Sequence, residues 1–309
     1  MKLLSIGTVA FDALETPYGK RDKIVGGSCT YIALSASYFL QKSGVVSVVG
    51  DDFPQEMIDK LESRNIDLEG LQVIEGEKTF FWSGRYHNDM NTRDTLDTQL
   101  NVLENFNPII PDSYQGSEYV MLGNLVPAIQ TQVLDRLNSK PKFVMLDTMN
   151  LWMDVAMDDL KKVISRVDLL TINDEEARQL SGEYSLRKAA KVIMKMGPKY
   201  LIIKKGEHGA LLFGEEGIFY APALPLEEVF DPTGAGDTFA GGFIGYLAST
   251  DDTSFENMKR AVVVGSAMAS FCVEKFGSER IEDLSLEEIN ERVAEFRKLT
   301  DFELNLALA

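Results

Sequence analysis

Asp231-Pro232-Thr233-Gly234-Ala235-Gly236-Asp237-Thr238 combines residue types and spacing suited to moving a phosphoryl group. Apolar Val229 and Phe230 lead into it, and Phe239-Ala240-Gly241-Gly242-Phe243 follows. The pattern predicts a strand or loop end feeding a glycine turn that opens a helix. Such a turn aims backbone N–H groups at one point, where an anion can sit. Gly234, Ala235 and Gly236 would supply those groups at a helix start worth about half a positive charge. Asp237 is out of place in a pure anion site, since a carboxylate repels a phosphate. It fits if it takes the proton of a hydroxyl that attacks a phosphate. The plainer alternative is an ordinary glycine turn with Asp237 as a helix cap.

Other nucleotide signatures do not fit. No G-x-x-x-x-G-K-[ST] loop exists in the chain. A dinucleotide fingerprint needs a third glycine where Phe239 stands, and it belongs at the first βα turn.

The elements that must position these residues alternate. Short apolar runs predict strands at Leu3–Gly7, Val45–Val49, Tyr119–Leu122, Phe143–Asp147, Val167–Ile172 and Tyr200–Lys204. Helical patterns fall between them at Ser28–Gln41, Gln55–Arg64, Pro127–Leu137, Asp174–Leu180 and Ser185–Met196. A mostly parallel α/β sheet covered on both faces follows. After Asp237 the chain turns helical, with Phe255–Phe276 and Leu286–Leu299 as further helices. Gly241 and Gly242 inside the first of these imply close backbone packing or approach to a ligand. One region departs from the alternation. Thr79–Tyr86 and Thr95–Val102 have period-two character, joined by polar His87–Asp94. They predict a small antiparallel sheet projecting from the body, to which Asp12–Val25 adds a strand or loop. A sheet beside the mouth of an α/β core is a candidate lid.

Composition narrows the function class. With 309 residues, 45% apolar and 26% charged, the chain can bury a large core. Its net charge of −17 argues against nucleic acid as a partner. It leaves a nucleotide carried with magnesium open. No apolar run reaches the roughly 18 residues of a membrane helix, and Met1–Gly7 reads as a first strand rather than a signal peptide. Cys29 and Cys272 give no disulfide framework or metal spacing, so a reducing cytoplasm is expected. Cys29 is expected to pack in its helix. His87 and His208 read as incidental. No role is read from the tail Thr300–Ala309.

The glycine turn and its partners resemble the ribokinase/phosphofructokinase-B (pfkB) family of carbohydrate and nucleoside kinases. The turn is similar to that family's C-terminal signature, and Gly26-Gly27-Ser28 ahead of an apolar helix to its first. Val49-Gly50-Asp51-Asp52-Phe53, Asn173-Asp174-Glu175-Glu176 and Lys204-Lys205-Gly206 with Gly209-Ala210 match further stretches in family order. The resemblance implies one ribokinase-like domain over residues 1–309. Its fold is a doubly wound, mostly parallel sheet with helices on both faces, and residues 12–25 and 77–103 form the β lid. It implies Asp237 as the base on a substrate hydroxyl, with Gly234, Ala235 and Gly236 as the anion hole. Asn173 and Glu176 would organise Mg-ATP, Glu176 reaching Mg2+ through water; the alternative is Asn173 as a plain N-cap with a solvated Glu176. Lys205, Gly206 and Gly209 would line the nucleotide side, where Lys204 and Lys205 are either phosphate contacts or solvated charges. Asp231 and Thr233 would hold a monovalent cation such as K+.

On the acceptor side the resemblance implies Asp12, Gly26, Gly27 and Tyr31. A carboxylate accepting two adjacent hydroxyls suits a diol. Tyr31 stands where many members carry Asn, as an aromatic wall, a hydroxyl or a packing residue. Phe80, Trp82 and Tyr86 would form a stacking platform for a nucleobase, or else the lid's own core or a lid-to-lid dimer contact. The expected activity is ATP- and Mg-dependent phosphorylation of a hydroxymethyl group of a sugar. The alternatives are a nucleoside acceptor such as adenosine, or a ligand sensor without turnover on the same scaffold. A homodimer through the lid is a family-level expectation.

Overall fold

The computed structural model describes residues 1–301 and 303; the rest of the tail that begins at Thr300 lies outside the described residues. The chain opens with β1 (Leu3–Ile6), β2 (Ala10–Thr16), β3 (Gly19–Gly26), α1 (Ser28–Ser37), β4 (Ser43–Gly50), α2 (Gln55–Ser63) and β5 (Ile66–Ile74). Next come β6 (Phe81–Tyr86), β7 (Arg93–Gln99), β8 (Tyr119–Leu122), α3 (Pro127–Arg136), β9 (Phe143–Asp147), α4 (Asn150–Val155) and α5 (Met157–Ile164). β10 (Leu169–Asn173), α6 (Asp174–Ser181), α7 (Leu186–Met194) and β11 (Tyr200–Lys204) continue the alternation. The hairpin β12 (Ala210–Gly214) and β13 (Gly217–Ala221) precedes α8 (Ala235–Thr250), α9 (Phe255–Cys272) and α10 (Leu286–Lys298).

The main sheet has nine strands in the order β13-β12-β11-β10-β9-β8-β1-β4-β5. All neighbours from β5 to β11 run parallel, and β12 and β13 are antiparallel additions at one edge. Strands buried on both faces explain the continuous apolar runs. Leu4 and Ile6 join a core with Val133, Leu160, Val163 and Ile193. Leu3 joins another with Ile32, Phe243, Ile244 and Leu247. The alternation of β1 thus divides its side chains between two helix layers. The sequence order reverses at β1, which has β4 on one side and β8 on the other. In such sheets ligands bind outside the carboxyl ends of the strands near the reversal.

The glycines of α8 are packing residues. A Cβ on Gly241 would stand 2.4 Å from the Ile32 carbonyl oxygen of α1, and one on Gly242 2.8 Å from Met268 of α9. Of the two readings for this pair, close packing is the one observed.

The second sheet has four strands in the order β3-β2-β6-β7. The expected antiparallel pairing of β6 with β7 is present, β2 and β3 join as a second antiparallel pair, and the two pairs meet through a parallel β2–β6 contact. β6 reaches β2 only after the β4-α2-β5 crossover, so no hairpin fixes their relative direction. Val102 leaves the lid for the main core, while Leu96 and Leu100 are exposed. The lid's root is tied to the end of β4. Asp52 Oδ1 accepts from the Thr79 N–H (2.8 Å) and hydroxyl (2.6 Å), and the Thr79 hydroxyl oxygen accepts from the Gly50 N–H at 3.0 Å.

Candidate active site

The glycine turn opens α8 as expected. Gly234 is its N-cap in a left-handed conformation, φ +74°. A Cβ there would lie 2.5 Å from three ring atoms of Tyr31. Glycine is required on both counts. The Ala235 N–H is taken by the Pro232 carbonyl at 3.2 Å, whereas no hydrogen bond within the described residues engages the N–H groups of Gly234, Gly236 or Asp237. The free donors of the turn are therefore Gly234, Gly236 and Asp237, not the predicted Gly234, Ala235 and Gly236.

Three strand ends converge on this turn. In the sheet register Asp147 of β9 pairs with Thr171 of β10, and Asn173 of β10 pairs with Lys204 of β11. Lys204 Nζ donates to Asp147 Oδ2 at 2.7 Å, and the Thr148 N–H donates to Oδ1 at 2.9 Å. A Cβ on Gly236 would stand 3.0 Å from Lys204 Nζ, so the ammonium abuts the first turn of α8. Burial works against the Lys204 charge, but Asp147 and Glu176 outweigh it and hold the lysine protonated. Asp237 is half-buried. Burial, then the Asp147 charge, pushes its carboxyl up to about 7, against the pull of Lys204 and Arg93.

Asn173 and Glu176 form a capping box at the start of α6. Asn173 Oδ1 accepts from the Glu176 N–H and Glu176 Oε2 from the Asn173 N–H, both at 2.8 Å. Asn173 is thus an N-cap, as the plainer reading held. Glu176 is not solvated, being 6% exposed, and burial raises its carboxyl to about 7. Only Oε2 is engaged among the described residues.

On the acceptor side, Asp12 lies in β2 and is 5% exposed. Burial, then the charges of Asp231 and Asp237, raises it to about 7, with the Gly27 N–H as the opposing donor. Gly26 and Gly27 do permit close approach, but to the chain itself. A Cβ on Gly26 would meet Asp12 Oδ2 at 1.9 Å, and one on Gly27 (φ +90°) the Thr8 carbonyl oxygen at 2.5 Å. Tyr31 is buried beneath Gly234, and its hydroxyl has no hydrogen-bond partner among the described residues. Of its three readings, packing is the one its burial supports. Phe80, Trp82 and Tyr86 do not make one platform. Phe80 packs on the main core, Trp82 folds over Gly84, and the buried Tyr86 hydroxyl is 3.3 Å from Thr233 Oγ1.

Asp231 is fully buried. Its oxygens accept from the N–H groups of Thr233 and Gly277, each at 2.8 Å, joining the turn to the segment after α9. No cation partners it among the described residues.

A cavity of about 460 Å³ adjoins the turn, lined by Lys204, Gly206, Gly209 and Gly236 and by an apolar wall that includes Leu226 and Val273. That size suits a small ligand. Lys205 does not line it; its N–H instead closes the turn onto the Gly209 carbonyl at 2.8 Å. His208, read as incidental, does line the cavity.

Sequence reasoning left Asp147 and Arg93 unmarked. Both lack a local motif. Asp147 closes an apolar strand, and strand ends are where open α/β sheets bind ligands. Arg93 is opposite Tyr86 in the lid, with its guanidinium 5.9 Å from the Trp82 ring. Although Arg93 is exposed on β7, its head group is partly desolvated, and Tyr86, Glu176 and Asp237 outweigh that and favour its charge.

Comparison with known proteins assigns the class that the sheet and turn define. The model of the pfkB family of carbohydrate kinases matches residues 2–283, and the chain belongs to that family. It is thereby a small-molecule kinase, a phosphotransferase acting on hydroxyl groups and dependent on ATP. It is 34% identical over 251 residues to a cytidine kinase of Thermococcus kodakarensis, covering 79% of this chain and 87% of that protein. A nucleoside kinase of Methanothermobacter thermautotrophicus is 25% identical over 307 residues, covering 90% and 91% respectively. Among solved structures, the nucleoside kinase of Methanocaldococcus jannaschii, an archaeal member of the ribokinase family, aligns with a TM-score of 0.76. At 20% identity, over 96% of this chain and 99% of that one, this likeness speaks to the fold. No helix among the described residues is long and apolar enough to cross a membrane.

Proposed function

We propose that this kinase transfers the γ-phosphoryl group of ATP to the hydroxymethyl group of a ribonucleoside. The observation that carries the chemistry is Asp237 in the first turn of α8, beside free N–H groups and the Lys204 ammonium. Asp237 takes the acceptor hydroxyl's proton. The N–H groups of Gly234, Gly236 and Asp237, with Lys204, hold the phosphoryl oxygens as charge shifts onto the leaving group. Gly206 and Gly209 line the donor cavity at the β11–β12 turn, where the space a Cβ would take is filled by Asn91 and by the Ala221 carbonyl. The lid excludes water and so limits ATP hydrolysis. A nucleoside acceptor is supported by the similarity to the cytidine kinase. A free sugar is the second reading, favoured by the separation of Phe80, Trp82 and Tyr86, which leaves no continuous stacking face.

Mg2+ fits this donor set. Asp147, Glu176 and Asp237 bring more negative charge than Lys204 alone offsets, and Glu176 keeps one oxygen free of the cap. No group of three or more acidic, His or Cys side chains forms a metal cage among the described residues. That suits an ion held by one carboxylate, through water, and by the phosphates. Mg2+ would neutralise charge on the transferred group. Asp231, fully buried with only backbone N–H groups and no basic side chain bonded to it among the described residues, supports a K+ site with Thr233. The free, buried Cys29 and Cys272 suit the cytoplasm, and the exposed Leu96 and Leu100 suit a lid-to-lid dimer.

A panel of sugars and nucleosides with an ADP-release readout, run in K+ and in Na+, tests the proposal. Fastest turnover with a ribonucleoside supports it. Turnover with free sugars alone would replace the acceptor, and binding of ATP and acceptor without turnover would remove the catalytic role.

A further inference from the structure

The β6–β7 hairpin reaches beyond the acceptor side. Its connecting residues Asp89, Met90 and Asn91 line the same cavity as Lys204, Gly206 and Gly236. The approach is close, since a Cβ on Gly206 would stand 2.5 Å from Asn91 Oδ1. Gly206 holds φ +54°, so any other residue there would be strained as well as crowded.

The connection is internally organised. Asp89 accepts from the N–H groups of Asn91 (3.1 Å) and Thr92 (2.9 Å) and from the Thr92 hydroxyl (2.5 Å). The Met90 N–H donates to the His87 carbonyl, and the His87 N–H to the Thr92 carbonyl, each at 2.9 Å. A carboxylate facing a polyphosphate would oppose binding. Here the Asp89 carboxylate oxygens are engaged within the loop, and Asn91 Nδ2 donates to the Asp89 carbonyl at 3.1 Å. Asn91 Oδ1 and its second amide proton, with Met90, are what the loop offers a ligand.

We propose that this loop is part of the donor site, with Asn91 and Met90 contacting the bound nucleoside triphosphate beside Gly206. The proposal rests on the kinase reading and deepens it. The Asn91 amide offers a donor and an acceptor to ribose or phosphate oxygens, and Met90 offers an adaptable apolar contact. One hairpin then touches both substrates' sites. Tyr86, at the end of β6, meets Thr233 in the glycine turn, while the loop that follows meets the donor cavity. An acceptor that closes the lid should therefore tighten nucleotide binding, and the nucleotide should tighten acceptor binding by the same factor.

Calorimetric titration of the full chain with the β,γ-imido analogue of ATP and Mg2+ reads the contact directly. Asn91→Ala is expected to weaken the analogue about tenfold and to raise KM for ATP by a similar factor. Asp89→Ala, which unpins the loop, should weaken it in the same direction. Asn91 is exposed, so the variant's thermal midpoint should match the wild type, which separates loss of contact from loss of fold. Equal affinity for the analogue in wild type and Asn91→Ala would overturn the proposal, whatever Asp89→Ala does. Should the wild type bind the analogue yet phosphorylate nothing in the panel, the kinase reading fails separately. The titration still decides the loop: weaker binding by Asn91→Ala sustains it, and unchanged binding overturns it.

Discussion

Asp237 and its neighbours make predictions that separate proton transfer from binding. Asp237→Asn keeps the size of the side chain and removes the base. Turnover should fall by roughly 100-fold or more while ATP affinity changes little. A variant that turns over at wild-type rate would remove Asp237 from the chemistry. A base must be deprotonated to act. With Asp237 raised to about 7 by burial and by Asp147, kcat/KM should climb with pH and level off above that value. Asp147→Asn deletes a nearby negative charge, so the acid limb should move to lower pH. The same change frees Lys204 from its 2.7 Å partner, so kcat should fall while KM for the acceptor changes less. A pH–rate profile that is lower but not displaced would leave Asp147 a structural role only. Asp237 was legible in the sequence because an acid inside a glycine turn contradicts simple anion binding. Lys204 could not be told from a solvated charge until its side chain was seen buried. Asp147 was invisible, because only the pairing of β9, β10 and β11 brings it beside Lys204.

The same contrast holds among elements. The main strands were legible because burial on both faces leaves uninterrupted apolar runs, as in Phe143–Asp147 and Tyr200–Lys204. β5 was missed because as an edge strand it carries Asp67, Glu69 and Gln72. β12 and β13 were missed because a two-stranded edge addition lacks that two-sided burial. α9 ends at Cys272 rather than Phe276, since an apolar face can continue after the helix has stopped. Two start-of-helix devices allow tests. Gly234→Ala would force a Cβ into the Tyr31 ring and hold alanine at φ +74°. A stability loss of at least about 1 kcal/mol is expected, measured by urea unfolding, with activity falling as the turn shifts. At α6, Glu176→Gln retains an acceptor for the Asn173 N–H and discards the charge. If Glu176 serves only the capping box, both Tm and turnover will survive. We expect the Tm to survive and turnover to fall about tenfold or more at low Mg2+, with partial recovery as Mg2+ is raised.

For the whole molecule, the acids of the site and the acids of the surface act on stability in opposite pH ranges. Asp12, Glu176 and Asp237 are each raised to about 7, chiefly by burial. In the unfolded chain such carboxyls titrate near about 4. Between those values the folded state holds more protons than the unfolded one, so stability falls as pH rises through this window. Glu288 shows the reverse, being lowered to about 2 by Arg280 and the Ser285 cap, and Asp251 is lowered by Lys142 and Lys2. Their contribution is full above about 4 and is lost as pH drops below it. These two groups are exposed and screened by salt, so the acid side of the profile should be shallow and salt-sensitive. The buried site acids should dominate, and the net charge of −17 adds repulsion in the same direction as pH rises. Scanning calorimetry should therefore find a higher Tm near pH about 5 than near about 8. Mg-ATP should recover part of the loss at high pH, because it binds the folded state where the site acids are ionised. Asp237→Asn should raise the Tm at the alkaline end and flatten the profile, while turnover falls by roughly 100-fold or more. A wild-type Tm that rises steadily from pH about 5 to about 8 would mean that the site acids are not held protonated by burial. The acid limb expected for Asp237 would then have to lie near that of an ordinary aspartate.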